Sequence, residues 1–160
     1  MLPAFFSSKA SSQEAAVTIT AVKPDVLNAL GDQANLGVAF VRRYGGEKAH
    51  PVAADIDAAI VAWRASADTA KEPADLVIER VGALFGAYLN GRLGSEWAVC
   101  SDARGQDFCV VHKKVSVYGF PHSAIYKAAV QGREEALPNV EAALVEQIAE
   151  ALKSQKVMPR

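Results

Sequence analysis

The two cysteines and three histidines of this sequence are the side chains best suited to nucleophilic or metal chemistry. Cys109 and His112 lie three residues apart in the stretch CVVH. On an extended strand an odd spacing places two side chains on opposite faces of the sheet, which disfavours a shared metal ion. A metal site would also need more ligands than the sequence offers near them. We therefore predict no metal site and no cofactor.

For nucleophilic or acid–base catalysis, the closest arrangement is His122 beside Ser123 in FPHSAIYK. Adjacent residues do not form a hydrogen-bonded pair by default, and Ser123 is a favourable N-cap for the helix that follows. Asp102 and Asp107 flank a predicted turn, where aspartate is favoured because it bonds to the backbone. The sequence lacks the G-x-S-x-G, G-x-x-x-x-G-K-[ST] and H-E-x-x-H motifs. We predict no catalytic residue, and the sequence favours a non-catalytic protein over an enzyme.

Cys100 and Cys109 lie on the two arms of one predicted hairpin. A symmetric two-residue turn at Arg104-Gly105 would place them opposite each other, whereas a glycine bulge would not. The favoured expectation is two buried, reduced thiols, and a redox pair or a nucleophile is the alternative. The sequence leaves both the pairing of the cysteines and the register of the hairpin open.

Hydrophobic periodicity predicts the elements that must position these side chains. Apolar residues at spacings of three and four, bounded by proline and glycine, predict helices, and runs rich in β-branched residues predict strands. The predicted strands are 15–22, the hairpin arms WAVCSD and DFCVV, and 115–118. The predicted helices are 24–45, 53–67, one that begins near Pro73 and ends at Asn90-Gly91 or at Gly94, one after Ser123, and 139–154. The fold class is therefore α+β, with a small antiparallel sheet of three to four strands packed against several helices.

Gly82 and Gly86 lie in the interior of the predicted helix that begins near Pro73. Each costs roughly 1 kcal/mol relative to alanine, so the pair requires a compensating reason. They lie four residues apart and hence on one face of the helix. We predict that another backbone, of a helix or of the sheet that Trp97 begins, approaches this face closely.

Composition and charge narrow the class of protein. Hydrophobic residues make up 51% of the chain and the formal net charge is -1, which argues against binding to nucleic acid because phosphate contacts need a basic surface. Residues 1–14 are predicted to form a flexible N-terminal arm and 15–160 a single domain. The apolar part of the arm, 2–6, is too short for a secretory signal, and no run approaches the ~18 apolar residues of a membrane span. We expect a cytoplasmic protein without a membrane span.

The stretches GALFGAYLNGRLGSEWAVCSDARGQDFCVV and VYGFPHSAIYKAAVQGREE resemble a bacterial domain of unknown function, family 3806. The matching positions are Gly82, Gly86, Leu89, Gly94, Trp97, Asp102, Gly105, Pro121, Ser123, Ile125, Lys127 and Gly132. The family-like core spans about 73–135. This sequence departs from the family pattern at Val81, before the first glycine, and at Ala128, where many members carry arginine. The resemblance supports the α+β fold and implies no reaction, because the family is uncharacterised.

We assign structural roles to Gly82, Gly86, Trp97, Asp102, Gly105, Pro121 and Ser123. The candidate binding residues are an aromatic patch with its neighbours, Tyr118, Phe120, Pro121, His122, Tyr126 and Lys127. The leading hypothesis is a non-catalytic protein-interaction module of a bacterial cytoplasm, with another protein as its partner. One specific form of it is an immunity or adaptor protein of a toxin or secretion system.

Two alternatives remain open. The first is a small-ligand-binding protein or an enzyme that uses residues near the sheet edge. It requires Lys127, His122, Tyr118 and Asp102 to line one pocket. The second is a homo-oligomer whose seam is the alanine-rich C-terminal helix.

Overall fold

The computed structural model of this chain describes residues 16–156, so the predicted arm 1–14 lies outside the described residues. Within the described part the elements are β1 (Thr18–Ala21), α1 (Pro24–Gly45), α2 (Ala53–Ala65), α3 (Ala74–Leu93), β2 (Ser95–Asp102), β3 (Gly105–His112), β4 (Tyr118–Gly119), α4 (Pro121–Ala129) and α5 (Ala136–Lys156). The strands form one antiparallel sheet in the order β1-β2-β3-β4. This architecture confirms the predicted α+β fold class.

Helix α1 begins at Pro24, whose missing N–H costs nothing in a first turn, and runs unbroken through Gly31 and Gly37. Gly37 faces α3, where an added Cβ would lie only 2.8 Å from the Cβ of Leu84 and would also collide with the carbonyl oxygen of Arg80. The glycine therefore lets the two helices approach closely, and this packing compensates for its poor helix propensity.

Helix α3 leads directly into the sheet. It ends at Gly94, which adopts the left-handed conformation (φ 67°) and donates its N–H to the carbonyl oxygen of Asn90. This is a common way to end a helix, and glycine adopts the conformation without steric cost. Strand β2 then begins at Ser95, whose hydroxyl donates to the carbonyl oxygen of Leu89. The end of the helix thereby fixes where the strand starts.

The turn between β2 and β3 consists of Ala103 and Arg104, because Asp102 pairs with Gly105. An Asp102 carboxylate oxygen accepts the N–H of Arg104 at 2.7 Å, which explains why aspartate suits the position. The turn lies one residue earlier than the symmetric turn considered from the sequence. Cys100 therefore pairs with Asp107 in the register, and Cys109 pairs with Ala98.

The segment after the hairpin differs from the prediction in two respects. Strand β4 contains only Tyr118 and Gly119, which pair with Val111 and Val110, whereas the sequence predicted a strand over 115–118. The prediction that Ser123 caps α4 is wrong. The helix begins three residues earlier than predicted, at Pro121, and its N-cap is Phe120 with no side-chain hydrogen bond. Proline provides this start because its fixed φ suits a first helical turn.

Helix α5 is attached to α2 by Asp57, a buried carboxylate that accepts the backbone N–H groups of Glu135 (3.1 Å) and Leu137 (3.4 Å). The first N–H groups of a helix have no partner within it, so this carboxylate supplies a cap from another element. Leu137 is completely buried in the main core. The Asp57 contact thus fixes the position of a helix that begins nearly 80 residues later.

Candidate functional site

The sheet has two faces with different surroundings. On the inner face, Trp97 and Val110 pack with α3 and the main hydrophobic core. On the outer face, Ala98, Cys100 and Cys109 form a separate buried cluster. The partly buried side chains described in contact with this cluster come from β3, β4 and the residue before α4: Val111, Tyr118 and Phe120. The outer face is the candidate for binding, because no described helix contributes to its cluster.

Gly82 and Gly86 make room for aromatic rings on the inner face. A Cβ at Gly86 would overlap the indole of Trp97, and a Cβ at Gly82 would overlap the imidazole of His122. The sequence predicted that a backbone would approach this side of α3, but side-chain rings fill the space instead. The two glycines therefore leave the space on this helix face into which the rings of Trp97 and His122 pack.

His122 lies on this inner side, away from the outer face. Its ring centroid is 5.9 Å from that of Trp97 and 6.0 Å from that of Phe108, with tilted ring planes. Burial lowers the pKa of His122, and the nearby charges of Asp107 and Glu79 offset only part of this effect. Its buried Nδ1 has no hydrogen-bond partner among the described residues. The imidazole therefore packs as an aromatic ring against Trp97 and Phe108.

Cys100 and Cys109 form a disulfide bond, with their Cα atoms 6.0 Å apart. The favoured expectation of two reduced thiols is therefore wrong. The two residues are diagonal neighbours on the outer face, since Cys109 lies opposite Ala98. Positions two apart in register share a face of the sheet, and their spacing permits the bond.

Two adjoining clefts lie on the outer face, with volumes of about 350 Å³ and 610 Å³. Both are lined by Val17, Asp102 and Arg104. The smaller cleft adds Cys100, Asp107, Phe120 and Ser123, and the larger adds Ile19, Ser116 and Tyr118. We call these two together the outer-face cleft. Its lining combines apolar side chains with a rim of carboxylates and one arginine, which suits a polypeptide segment.

The predicted binding residues do not form one surface. Tyr118 and Phe120 line the outer-face cleft, with ring centroids 5.8 Å apart in an edge-to-face contact. Pro121 is buried. Tyr126 and Lys127 are exposed on α4 and line none of the clefts described here.

Three of the residues assigned structural roles also contact this site. Asp102, Gly105 and Ser123 line the outer-face cleft. Tyr118 and Asp102 share its larger part, but His122 and Lys127 line neither part. The four residues that the enzyme or ligand hypothesis places in one pocket are therefore divided between different surfaces.

The edge of β1 is the feature that sequence reasoning missed. Strand β1 is paired only with β2 among residues 16–156, and all four of its residues are exposed. Val17 and Ile19, 39% and 40% exposed, add apolar side chains beside this edge. The sequence predicted the strand but not its position in the sheet. An uncharged strand near the end of the chain was the available signal.

No three side chains of His, Cys, Asp or Glu in residues 16–156 lie together as metal ligands would. None of the helices in this part of the chain is long and apolar enough to cross a membrane.

A family model described as "Domain of unknown function (DUF3806)" matches residues 57–140, just over half of the chain. The match begins at Asp57 in α2 and ends in α5, so it contains both sides of the contact between Asp57 and Leu137. Strand β1 and helix α1 lie outside it. No curated protein and no solved structure matches the chain.

Proposed function

The chain belongs to the DUF3806 family of domains of unknown function, and on that premise we propose that it is a protein-interaction module that binds an extended segment of a partner protein along the edge of β1. The observation that carries this proposal is the exposed, uncharged edge strand Thr18–Ala21. An edge strand presents backbone N–H and C=O groups on its open side, and an extended peptide can pair with them as an additional strand.

Protein sheets commonly protect their edges with lysine, proline, bulges or a covering helix. The sequence TITA of β1 contains no charge and no proline, and its four residues are paired without a bulge to Ser101, Cys100, Val99 and Ala98. All four residues are exposed, and among residues 16–156 no strand other than β2 pairs with them. An edge left open in this way is a template for pairing, which supports a role in binding another chain.

The side chains beside the edge provide a means of selecting the partner. Ile19 and Val17 line the outer-face cleft, next to Tyr118 and Phe120. Alternate side chains of an added strand would point towards the same side of the sheet as Ile19. Apolar side chains at those positions would contact Ile19 and Val17, and the cleft could accept the longer ones. Backbone pairing would thus supply affinity and the cleft specificity.

More specific forms of this proposal follow from the sequence. A bacterial immunity or adaptor protein would use the same surface, and an immunity role requires a one-to-one complex with a toxin. Protection of cells from that toxin is its direct assay. The ligand or enzyme hypothesis has weaker support, because its four residues are divided between surfaces.

A display library of random twelve-residue peptides, screened against the immobilised full chain, tests the proposal. We expect enriched peptides with alternating apolar residues, and we expect Ile19→Lys to weaken their binding by at least about tenfold, a loss of about 1.4 kcal/mol. Leu36→Lys is the matched control, since Leu36 is 43% exposed on α1 and Ile19 is 40% exposed. The proposal would be contradicted if Ile19→Lys and Leu36→Lys both bound the enriched peptides as the unmodified chain does. It would also be contradicted if the unmodified chain enriched no peptide.

Analytical ultracentrifugation of the same proteins measures whether a second copy of this chain, and not a partner protein, occupies the β1 edge. A dimer of the unmodified chain that Ile19→Lys dissociates would assign the β1 edge to a second copy of this chain. That result would replace the partner protein proposed here.

A further inference from the structure

The disulfide between Cys100 and Cys109 bears on where this protein works. The two are the chain's complete set of cysteines, so no third thiol of the same chain can exchange with the bond. Cys109 is fully buried and Cys100 is 4% exposed. Tyr118 and Phe120 pack against the cluster that contains them.

Burial decides between the roles that a disulfide can have. Exchange requires a thiolate to reach one of the two sulfur atoms, so redox-active disulfides are accessible. Cys100 borders the smaller cleft with only 4% of its surface exposed, and Cys109 has no exposed surface, so the bond is largely shielded in the folded protein. The bond joins β2 to β3 on the outer face of the sheet. Its two cysteines are nine residues apart in sequence, so the bond stabilises the hairpin. These features are those of a structural disulfide, formed during folding and then kept.

Structural disulfides persist in oxidising compartments, whereas the cytosol keeps protein thiols reduced. We infer that Cys100 and Cys109 are a site of oxidative modification, served by a thiol–disulfide oxidoreductase, and that this chain works in an oxidising compartment outside the cytosol. This inference is independent of the proposed binding function. It opposes the cytoplasmic location expected from the sequence. That expectation was reached without knowing that the two cysteines are paired.

The chemistry is a two-electron exchange. The thiolate of one cysteine attacks the disulfide of the oxidoreductase and forms a mixed disulfide, and the second cysteine then displaces it. The Cys100–Cys109 sulfur–sulfur bond forms as that of the oxidoreductase breaks. The two electrons and the two thiol protons pass to the oxidoreductase, which leaves as a dithiol.

The first test measures the state of the cysteines in the cells that express the chain naturally. Cells are quenched in trichloroacetic acid, the precipitated protein is dissolved in denaturant that contains N-ethylmaleimide so that buried thiols also react, and the mass of the full-length protein is then measured. We expect no adduct on the protein that is labelled without reduction. In a second sample, reduced with dithiothreitol before labelling, we expect one adduct on each cysteine. Adducts on both cysteines without reduction would overturn the inference. A cytosolic protein with known free thiols, labelled in the same lysate, shows that blocking preceded oxidation in air.

The second test separates a structural disulfide from an incidental one. Dithiothreitol should lower the melting temperature of the purified chain and leave that of the Cys100→Ala/Cys109→Ala variant unchanged. The variant should melt at the temperature of the reduced protein. A melting temperature of the unmodified chain that dithiothreitol does not change would overturn the structural role.

Discussion

The carboxylate of Asp57 in α2 accepts the backbone N–H of Leu137 in the first turn of α5, 80 residues later in the chain. The same side chain accepts the N–H of Glu135, which adopts a positive φ of 54°. One buried aspartate therefore satisfies two donors at the start of a helix that it does not belong to.

Replacing Asp57 by alanine should destabilise the fold by about 1–3 kcal/mol, because two N–H groups at a partly buried helix start lose their acceptor. Asp57→Asn should cost less, since its amide oxygen can still accept one of them. Urea denaturation followed by circular dichroism measures both. Asp32→Ala, at an exposed position of α1, is the control. Equal stability of all three variants would show that Asp57 does not cap α5.

Gly86→Ala should destabilise the protein although alanine is the better helix former. The new methyl group overlaps the indole of Trp97, and overpacking of this kind costs about 1–3 kcal/mol, against roughly 1 kcal/mol of improved propensity. Gly91→Ala is the matched control in the same helix, because a Cβ there has no heavy atom within 4 Å. We expect Gly91→Ala to raise the melting temperature and Gly86→Ala to lower it. Two increases would contradict the packing role of Gly86.

The stability contributed by His122 should depend on pH. Burial lowers its pKa in the folded state, so the unfolded chain takes up the proton first as the pH falls. The stability that this effect provides is present above the unfolded pKa of about 6.5 and is lost as the pH falls from there towards the lowered folded value. His122→Phe keeps an aromatic ring beside Gly82 and cannot be protonated. Urea denaturation at pH 7 and pH 5 should show that the free energy of unfolding falls less for the variant than for the unmodified chain. Equal decreases would show that His122 does not cause the pH dependence.

Glu72 should stabilise the loop before α3 through Tyr44 and Arg43 of α1. It accepts the hydroxyl of Tyr44 at 2.7 Å and a guanidinium N–H of Arg43 at 3.2 Å. Burial acts to raise the pKa of Glu72, but these two contacts hold it below the ordinary value. For Tyr44, burial and the hydrogen bond to Glu72 raise the pKa to about 12.

Glu72→Gln should therefore cost about 0.5–1.5 kcal/mol at pH 7, because the amide oxygen can still accept from Tyr44 and the pair with Arg43 is partly exposed. Because the folded pKa of Glu72 is lowered, its stability is present above the unfolded pKa of about 4.3 and is lost as the pH falls through the folded value. Denaturation at pH 7 and pH 3 should show the difference from the unmodified chain shrinking at pH 3. Glu146→Gln, at an exposed position of α5, is the control for the same change of residue type.

The sequence alone determined the class of fold and the presence of five helices, although α4 and α5 each begin three residues before their predicted starts. Helix α1 begins at Pro24 and ends at Gly45, as predicted, because proline and glycine act through the local backbone and apolar spacing acts within one element. The resemblance to family 3806 was also visible in the chain and is confirmed by the family match. Such signals are contained in a few consecutive residues.

Tertiary structure decided the features of the candidate site. The turn at Ala103 and Arg104, one residue earlier than the symmetric alternative, places Cys100 and Cys109 diagonally, and the side chains above them bury their bond. Pairing with β2 alone makes β1 an edge, and packing against Gly82 turns His122 to the inner face, although Phe120 lies on the outer one. Each outcome depends on residues far apart in sequence. Local propensity does not encode register, strand order or the side of a sheet on which a ring packs, since these follow from which surfaces meet when the elements assemble.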